Sequence, residues 1–386
     1  MDTIAGIILG VIVLTVLVVI HELGHALVAK RYGVIVEEFG VGFPPKAWGK
    51  TVAKSVLGKD VLFSLNWLPL GGFVKLQGEH DSAKKKGDYG AATFWQKTQI
   101  LLAGVIMNWL AAALMLSVLA AVGMPKILDN QFTVPSDTVT IHQPVELVGV
   151  TTGLPAAVAG LQQGDKILRF DGLTVESAKD LSHLSLENKG ETVKIIYLRE
   201  NVEHETSAML RSANDDRKGY FGASLAQQEL LKSSWSAPLV GIGTTAQLSW
   251  VTIQGLGSVV GDALSAVAQK LTGDQAEQAV ADKKLASVGD SVAGPVGIFG
   301  VIFPAAEKAG PTYVLMLAAI ISLTLAVMNI LPIPALDGGR WFVTAIFKLL
   351  RKPLGKGLEE KIHGTGFMVL MALVILVTIA DIGKLR

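Results

Sequence analysis

Four stretches of the chain stay apolar over about 20 residues, the length that crosses a bilayer. They are 3–29, 100–122, 313–331 and 367–379, the last reaching that length only when extended to 365–381. No residue between Ile4 and Ile20 is charged, no basic residue precedes them, and no small-x-small cleavage site follows, so the first helix is predicted to be retained rather than removed as a signal. A fifth stretch, 233–261, also lacks charge. It is rich in Gly, Ser, Thr and Gln and is interrupted by Pro238, which favours an interfacial amphipathic helix over a span. Elsewhere the period shortens. Val61, Phe63, Leu65 and Trp67 alternate with Ser64 and Asn66, Pro69-Leu70-Gly71-Gly72 offers a turn, and Phe73–Gln77 follows as a second strand, predicting a β-hairpin. Between Val139 and Leu210, helical patterns at 154–160 and 177–188 and an alternating run at 192–199 predict a soluble α/β module, with Tyr220-Phe221-Gly222 closing it.

The expected fold class is a polytopic α-helical membrane protein of about four transmembrane helices, with a membrane-associated β-hairpin and one extracytoplasmic α/β domain. In chain order this gives a first span (1–32), a membrane-reentrant β region on the cytoplasmic side (33–97), and a second span (98–124). The extracytoplasmic module (125–226) and an interfacial region (227–311) follow, then a third span (312–345), a cytoplasmic loop (346–364) and a last span (365–386). Lys and Arg orient it: eleven lie in 30–97 and six in 340–361, and none precedes the first span. The positive-inside bias puts both basic segments in the cytoplasm and both chain ends, with the module, outside. A net charge of +1 gives no case for a nucleic-acid partner, and the absence of cysteine excludes disulfides and thiolate metal ligands. Lys84-Lys85-Lys86 reads as a solvated loop facing lipid headgroups.

The chemistry lies in the first span, at His21-Glu22-Leu23-Gly24-His25. Two His at i and i+4 share a helix face and can reach one metal ion, and the Glu between them is placed to accept a proton from an attacking water. Ionisable groups in an apolar helix are costly and by default functional. A catalytic zinc takes three protein ligands, and position 31 is Arg31, so the third must come from elsewhere. Glu37, Glu38 and Glu79 are candidates by distance along the chain. Asp337 is a better one, the only carboxylate between Glu307 and Glu359, directly after an apolar helix. Pro332 and Pro334 should unwind that helix, and Gly338 and Gly339 permit backbone shapes closed to other residues.

With HELGH in the first span and Asn329-Ile-Leu-Pro332-Ile-Pro334-Ala-Leu-Asp337-Gly338-Gly339 after the third, the chain resembles the site-2 protease family, in particular its bacterial branch. Phe39-Gly-Val-Gly-Phe43, Leu68-Pro-Leu-Gly-Gly-Phe-Val-Lys75, Gly104-Val-Ile-Met-Asn108 and Ala293-Gly-Pro-Val-Gly297 add to the likeness, and 139–210 resembles a PDZ domain of the circularly permuted bacterial type. The resemblance implies zinc bound by His21, His25 and Asp337, with Glu22 as general base. It implies substrate contacts from Asn329, Asn108 and Pro332, and from Gly71, Gly72 and Phe73 of a hairpin whose edge captures extended backbone. The implied activity is intramembrane cleavage of single-span membrane proteins in a bacterial cytoplasmic membrane, such as anti-sigma factors or remnant signal peptides, after an upstream site-1-type protease has made the first cut. The module would then act outside, as a filter or a binder of chain ends. One departure is that the best-known relatives carry two PDZ domains, and this chain has room for one. A non-catalytic membrane receptor or scaffold and a zinc transporter are the alternative classes. An intact Glu22 argues against the first, and neither that Glu nor the hairpin is explained by the second.

Overall fold

The computed structural model describes residues 2–200, 202–216, 218–272, 278, 280–284 and 294–384; Ala293 of the Ala293–Gly297 motif lies outside them. The chain divides into two compact units, Met1–Leu119 with Pro238–Arg386, and Ala120–Ala237.

In the first unit, α1 (Asp2–Arg31) ends on Lys30 and Arg31, cations that suit the negative end of a helix. Ile4, Ile8, Ile12 and Val16, spaced by one helical turn, are all exposed. Such a stripe is a liability in water and is at home in lipid. Two long strands follow, β1 (Val36–Val52) and β2 (Val61–Leu76), and they pair only with each other. Both bend, so that Val41 lies opposite Leu65 on one side and Gly72 on the other, while Trp48 lies opposite Leu65. The four arms therefore lie in the order 46–52, 61–66, 38–43, 72–76. This differs from the predicted hairpin. The arms of β2 on either side of Gly71 (φ +75°) do not pair with one another, because the 38–43 arm is inserted between them. Glycines make the insertion possible: a Cβ on Gly40 would collide with the Phe73 ring, and one on Gly42 (φ +77°) with the Leu68 carbonyl. Trp48, Trp67, Leu68 and Leu70 stay exposed on this sheet.

After the sheet, α2 (Phe94–Val122) is the second long apolar helix. Among the described residues five helices are long and apolar enough to cross a membrane: α1, α2, α5 (Ala237–Thr272), α7 (Pro311–Ile330) and α9 (Lys356–Lys384). Pro238 does not break α5. It stands in its first turn, where a missing N–H costs nothing. Ahead of α7, the helical run α6 (295–309) is wound as a π-helix over Ile298–Ile302, and it crosses the start of α1 at Gly6 and Gly10. Between α7 and α9 lies the amphipathic α8 (Asp337–Leu349).

The second unit has its own core, including Val145, Leu147, Ile167, Phe170, Leu181, Ile195 and Phe221. A sheet in the order β10-β5-β6-β8-β9 is built from Ala223–Ala226, Val145–Val150, Lys166–Phe170, Thr192–Arg199 and Val202–Met209, with β7 (Leu173–Thr174) beside β6. Helices α3 (Pro155–Val158) and α4 (Ala178–Glu187) accompany it, and Ser177 caps α4 by accepting from the Asp180 N–H. Phe221 enters the core and leads into β10, which pairs with β5. Asp165 is buried and held by both nitrogens of the Arg199 fork at 2.7 and 2.8 Å. A smaller sheet, β3-β11-β4 (Met124–Pro125, Glu229–Lys232, Val139–His142), extends the unit beyond β10. Asp137 accepts from the N–H and hydroxyl groups of Ser234 and Ser236, which holds its carboxyl down at about 2.

Candidate active site

His21 and His25 lie one turn apart on α1, both buried, with their Nε2 atoms 3.1 Å apart. They face α2, and the two helices cross where neither has a side chain. A Cβ on Gly24 would stand 2.5 Å from the Ala103 carbonyl oxygen, and one on Gly104 would stand 2.5 Å from His25 Nε2 and 2.7 Å from His21 Nε2. Small residues at such a crossing let membrane helices approach closely. His25 Nδ1 lies 2.7 Å from the Ile100 carbonyl, an acceptor that would leave Nε2 free to bind a metal.

Asp337 arrives from the other side. The chain leaves helix after Ile330 and re-enters it at Asp337, as the two prolines predict. The left-handed residue in the turn is Ala335 (φ +85°), not a glycine. Gly338 and Gly339 are needed for space: a Cβ on either would collide with the backbone carbonyls of Ile330 and Ile333. That packing folds the start of α8 back on the turn and aims Asp337 at the histidines. Its Oδ2 is 2.9 Å from His21 Nε2 and 3.2 Å from His25 Nε2. Zinc–ligand bonds of about 2.0–2.1 Å in a tetrahedron require ligand atoms about 3.3 Å apart. The triangle of 2.9, 3.1 and 3.2 Å thus fits zinc, as does its chemistry of two imidazoles and a carboxylate. Ligand atoms of His21, Glu22 and His25 also fall within 4.8 Å of one another. Asp337 is the nearer carboxylate: its oxygen is within 3.2 Å of both imidazoles, whereas Glu22 accepts from the Val74 N–H.

Glu22 Oε2 accepts the Val74 N–H at 3.0 Å. Because 72–76 pairs with β1 along one edge only, the N–H of Val74 points away from the sheet and toward α1. Thr15 adds a second tie, its hydroxyl donating to the Pro69 carbonyl at 2.8 Å. Gly71 and Gly72 are buried against α1 near Val18 and Val19, and Phe73 is half-buried. Asn329 is half-buried in the last turn of α7, and Pro332 is exposed in the turn that follows. Asn108 is fully buried beside His21 rather than on an open surface.

The other acidic candidates are engaged away from the histidines. Glu79 Oε1 accepts the Leu76 N–H at 2.8 Å, and Glu38 Oε1 accepts the Ser64 hydroxyl at 2.5 Å. Glu37 pairs with Lys75 at 2.9 Å and holds that ammonium above its usual range. Beyond Asp337 a cavity of about 440 Å³ opens among Glu79, His80, Arg340, Glu359 and His363. Arg340 donates to the Glu79 carbonyl and stacks over the ring of Tyr89, whose hydroxyl is pushed up by burial. Sequence reasoning did not single out the Ile100 carbonyl or the Val74 N–H, since backbone groups leave no trace in residue identity. Gly104 and Gly24 carried a faint signal as small residues in apolar helices.

A model of peptidase family M50 matches residues 9–373. A protein of Clostridium perfringens (strain 13 / Type A) is 31% identical over 378 residues, covering 97% of this chain and 98% of its own. Zinc metalloprotease RasP of Bacillus licheniformis is 26% identical over 459 aligned residues, covering 97% of this chain and 98% of its own. Regulator of sigma-W protease RasP of Bacillus subtilis (strain 168) is 25% identical over 456, covering 97% of each. Among solved structures, the PDZ domain of an SdrC-like protein from Listeria monocytogenes is 30% identical, covering 22% of this chain and 87% of that one, with a TM-score of 0.20.

Proposed function

The chain belongs to peptidase family M50, the site-2 proteases, and is a membrane-embedded zinc metalloendopeptidase; from that premise we propose that it cleaves transmembrane segments of single-span proteins after an extracytoplasmic first cut. His21, His25 and Asp337 hold the zinc, which when bound polarises a carbonyl and lowers the pKa of water. Glu22 takes the proton of the attacking water and returns it to the leaving amine. The observation that carries the reading is the division of labour among four neighbouring side chains: three converge at 2.9–3.2 Å, while Glu22, on the same helix, accepts instead from the edge of strand 72–76.

The strand 72–76 runs along α1 beside the site, and the outward backbone groups that Glu22 and Glu79 leave free can pair with a substrate unwound from helix. Asn329 and Pro332 border the approach from α7. The cavity beside Asp337, lined by the titratable side chains Glu79, His80, Arg340, Glu359 and His363, would admit the water that lipid excludes. One relative is named for regulating sigma-W, and anti-sigma factors are accordingly one class of substrate to test. The site lies toward the cytoplasmic face, since His21 and His25 come late in a helix that ends on Lys30 and Arg31.

The test is a single-span reporter cut in vesicles, with zinc counted on the same preparations. Wild type should hold about one zinc per chain. Glu22→Gln should keep that zinc and lose cleavage; loss of zinc from this variant would mean Glu22 is a ligand and the assignment is wrong.

A further inference from the structure

We infer that Asn108 is a positioning residue for His21, which it orients through the ring nitrogen that does not face the zinc. The inference rests on His21 being a ligand. Ligation through Nε2 puts the imidazole proton on Nδ1, so Nδ1 must be a donor and needs a fixed acceptor. His25 has one in the Ile100 carbonyl, at 2.7 Å. The group facing His21 Nδ1 is the side-chain amide of Asn108, two helical turns further along the same face of α2.

As drawn, the amide nitrogen faces Nδ1 at 3.4 Å, and Oδ1 of Asn108 is buried with no hydrogen-bond partner. Two donors facing each other would stand at such a separation; a real hydrogen bond would be shorter. The oxygen and nitrogen of an amide exchange places by a half-turn about the last side-chain bond, with no change of shape. After that turn Oδ1 accepts the Nδ1–H of His21, and the oxygen that lacked a partner gains the one that metal ligation requires.

The surroundings hold Asn108 for this role. It has no exposed surface, so an entering substrate does not reach it. Its own carbonyl accepts the Ser322 hydroxyl at 2.8 Å, which ties this turn of α2 to α7. Gly104, one turn before it, leaves the room in which both imidazoles lie against α2. One helix thus supplies both outer partners, a backbone carbonyl for His25 and an amide for His21.

The experiment is zinc affinity of the full-length protein in detergent, measured by competition with a chromophoric chelator and checked by the cobalt(II) absorption spectrum. Asn108→Leu keeps the buried volume and removes the acceptor; affinity should fall about 10–100-fold. Asn108→Asp keeps an acceptor, and affinity should stay within about threefold of wild type. A role in packing alone predicts the reverse order. Asn108→Leu holding zinc like wild type, or Asn108→Asp losing as much as Asn108→Leu, overturns the inference. His21→Ala is measured in parallel: if it keeps its zinc, the ligand assignment falls and this inference with it. If it loses zinc while Asn108→Leu does not, the inference alone falls.

Discussion

Asp337 is the carboxylate whose single oxygen both imidazoles share, and what holds it there is backbone packing rather than charge. Gly338 and Gly339 let the start of α8 lie on the carbonyls of Ile330 and Ile333. Asp337→Asn should therefore lose zinc by more than the roughly 10–100-fold that a lost outer partner costs. Glu37→Gln, Glu38→Gln and Glu79→Gln should keep it, since each of those side chains is bonded to strand or loop groups. Zinc stripped by Glu79→Gln and kept by Asp337→Asn would reverse the ligand set. Gly104 makes a second case. A methyl there meets Nε2 of both His21 and His25, and overpacking of this kind costs about 1–3 kcal/mol. Gly104→Ala should weaken zinc binding about 5–150-fold, the same energy expressed as an equilibrium, read by chelator competition. At this scale the cluster itself was legible, because HELGH and an isolated Asp after an apolar helix are visible as letters, and the structure brings those side chains together. The crossing at Gly24 and Gly104 was not, because a close approach of two helices is a property of the pair. The glycines after Asp337 were singled out for the wrong reason: they provide room, and Ala335 provides the left-handed turn.

The strand 72–76 gains its role from its neighbours. The alternation at 61–67 was legible as a strand, and Pro69-Leu70-Gly71-Gly72 as a bend. That the two arms are separated by a third arm, 38–43, was not, because pairing partners far apart in sequence follow from tertiary packing. The consequence is that Val74 offers its N–H to Glu22 rather than to a hairpin partner. Replacing that residue by proline removes the donor without touching a zinc ligand. A hydrogen bond to a charged group contributes about 1.5–3 kcal/mol. Val74→Pro should thus lower turnover of a single-span reporter by roughly tenfold or more, at 1.4 kcal/mol per tenfold, with zinc content unchanged. Val74→Ala, which keeps the N–H, should stay near wild type. Equal losses in the two variants would assign the effect to the side chain and remove the strand edge from the mechanism.

Over the whole molecule, the open point is what α5 does, and contacts within the first unit decide what to expect. A Cβ on Gly241 of α5 would collide with Ser117 of α2, and Trp109 Nε1 donates to Ser249 Oγ at 3.2 Å. Eight residues of each helix separate these contacts, about 12 Å at 1.5 Å per residue, so α5 runs antiparallel down α2. Trp109 adjoins Asn108, which faces the active-site His21. The first turns of α5 therefore run beside α2 from Ser117 to Trp109, the neighbour of Asn108. We predict that α5 does not complete a crossing. The run 295–309 touches α1 at Gly6 and Gly10, near its beginning, and the Gly297 N–H donates to Asp381, near the end of α9, at 2.8 Å. With these contacts, the Lys and Arg bias predicts that the start of α1 and the end of α9 share the outer side, and that prediction calls for an even number of crossings. On that prediction α1, α2, α7 and α9 are the four crossings. With no native cysteine to remove, single cysteines test this directly. Cysteine at Ser234 should react with a membrane-impermeant maleimide added outside. Cysteine at Ser249 should react from neither side, and cysteine at Lys308 should react from outside. Brisk labelling at Ser249 from outside would restore the interfacial helix. Labelling at Lys308 from the cytoplasmic side would make α5 a fifth span and place the chain ends on opposite sides.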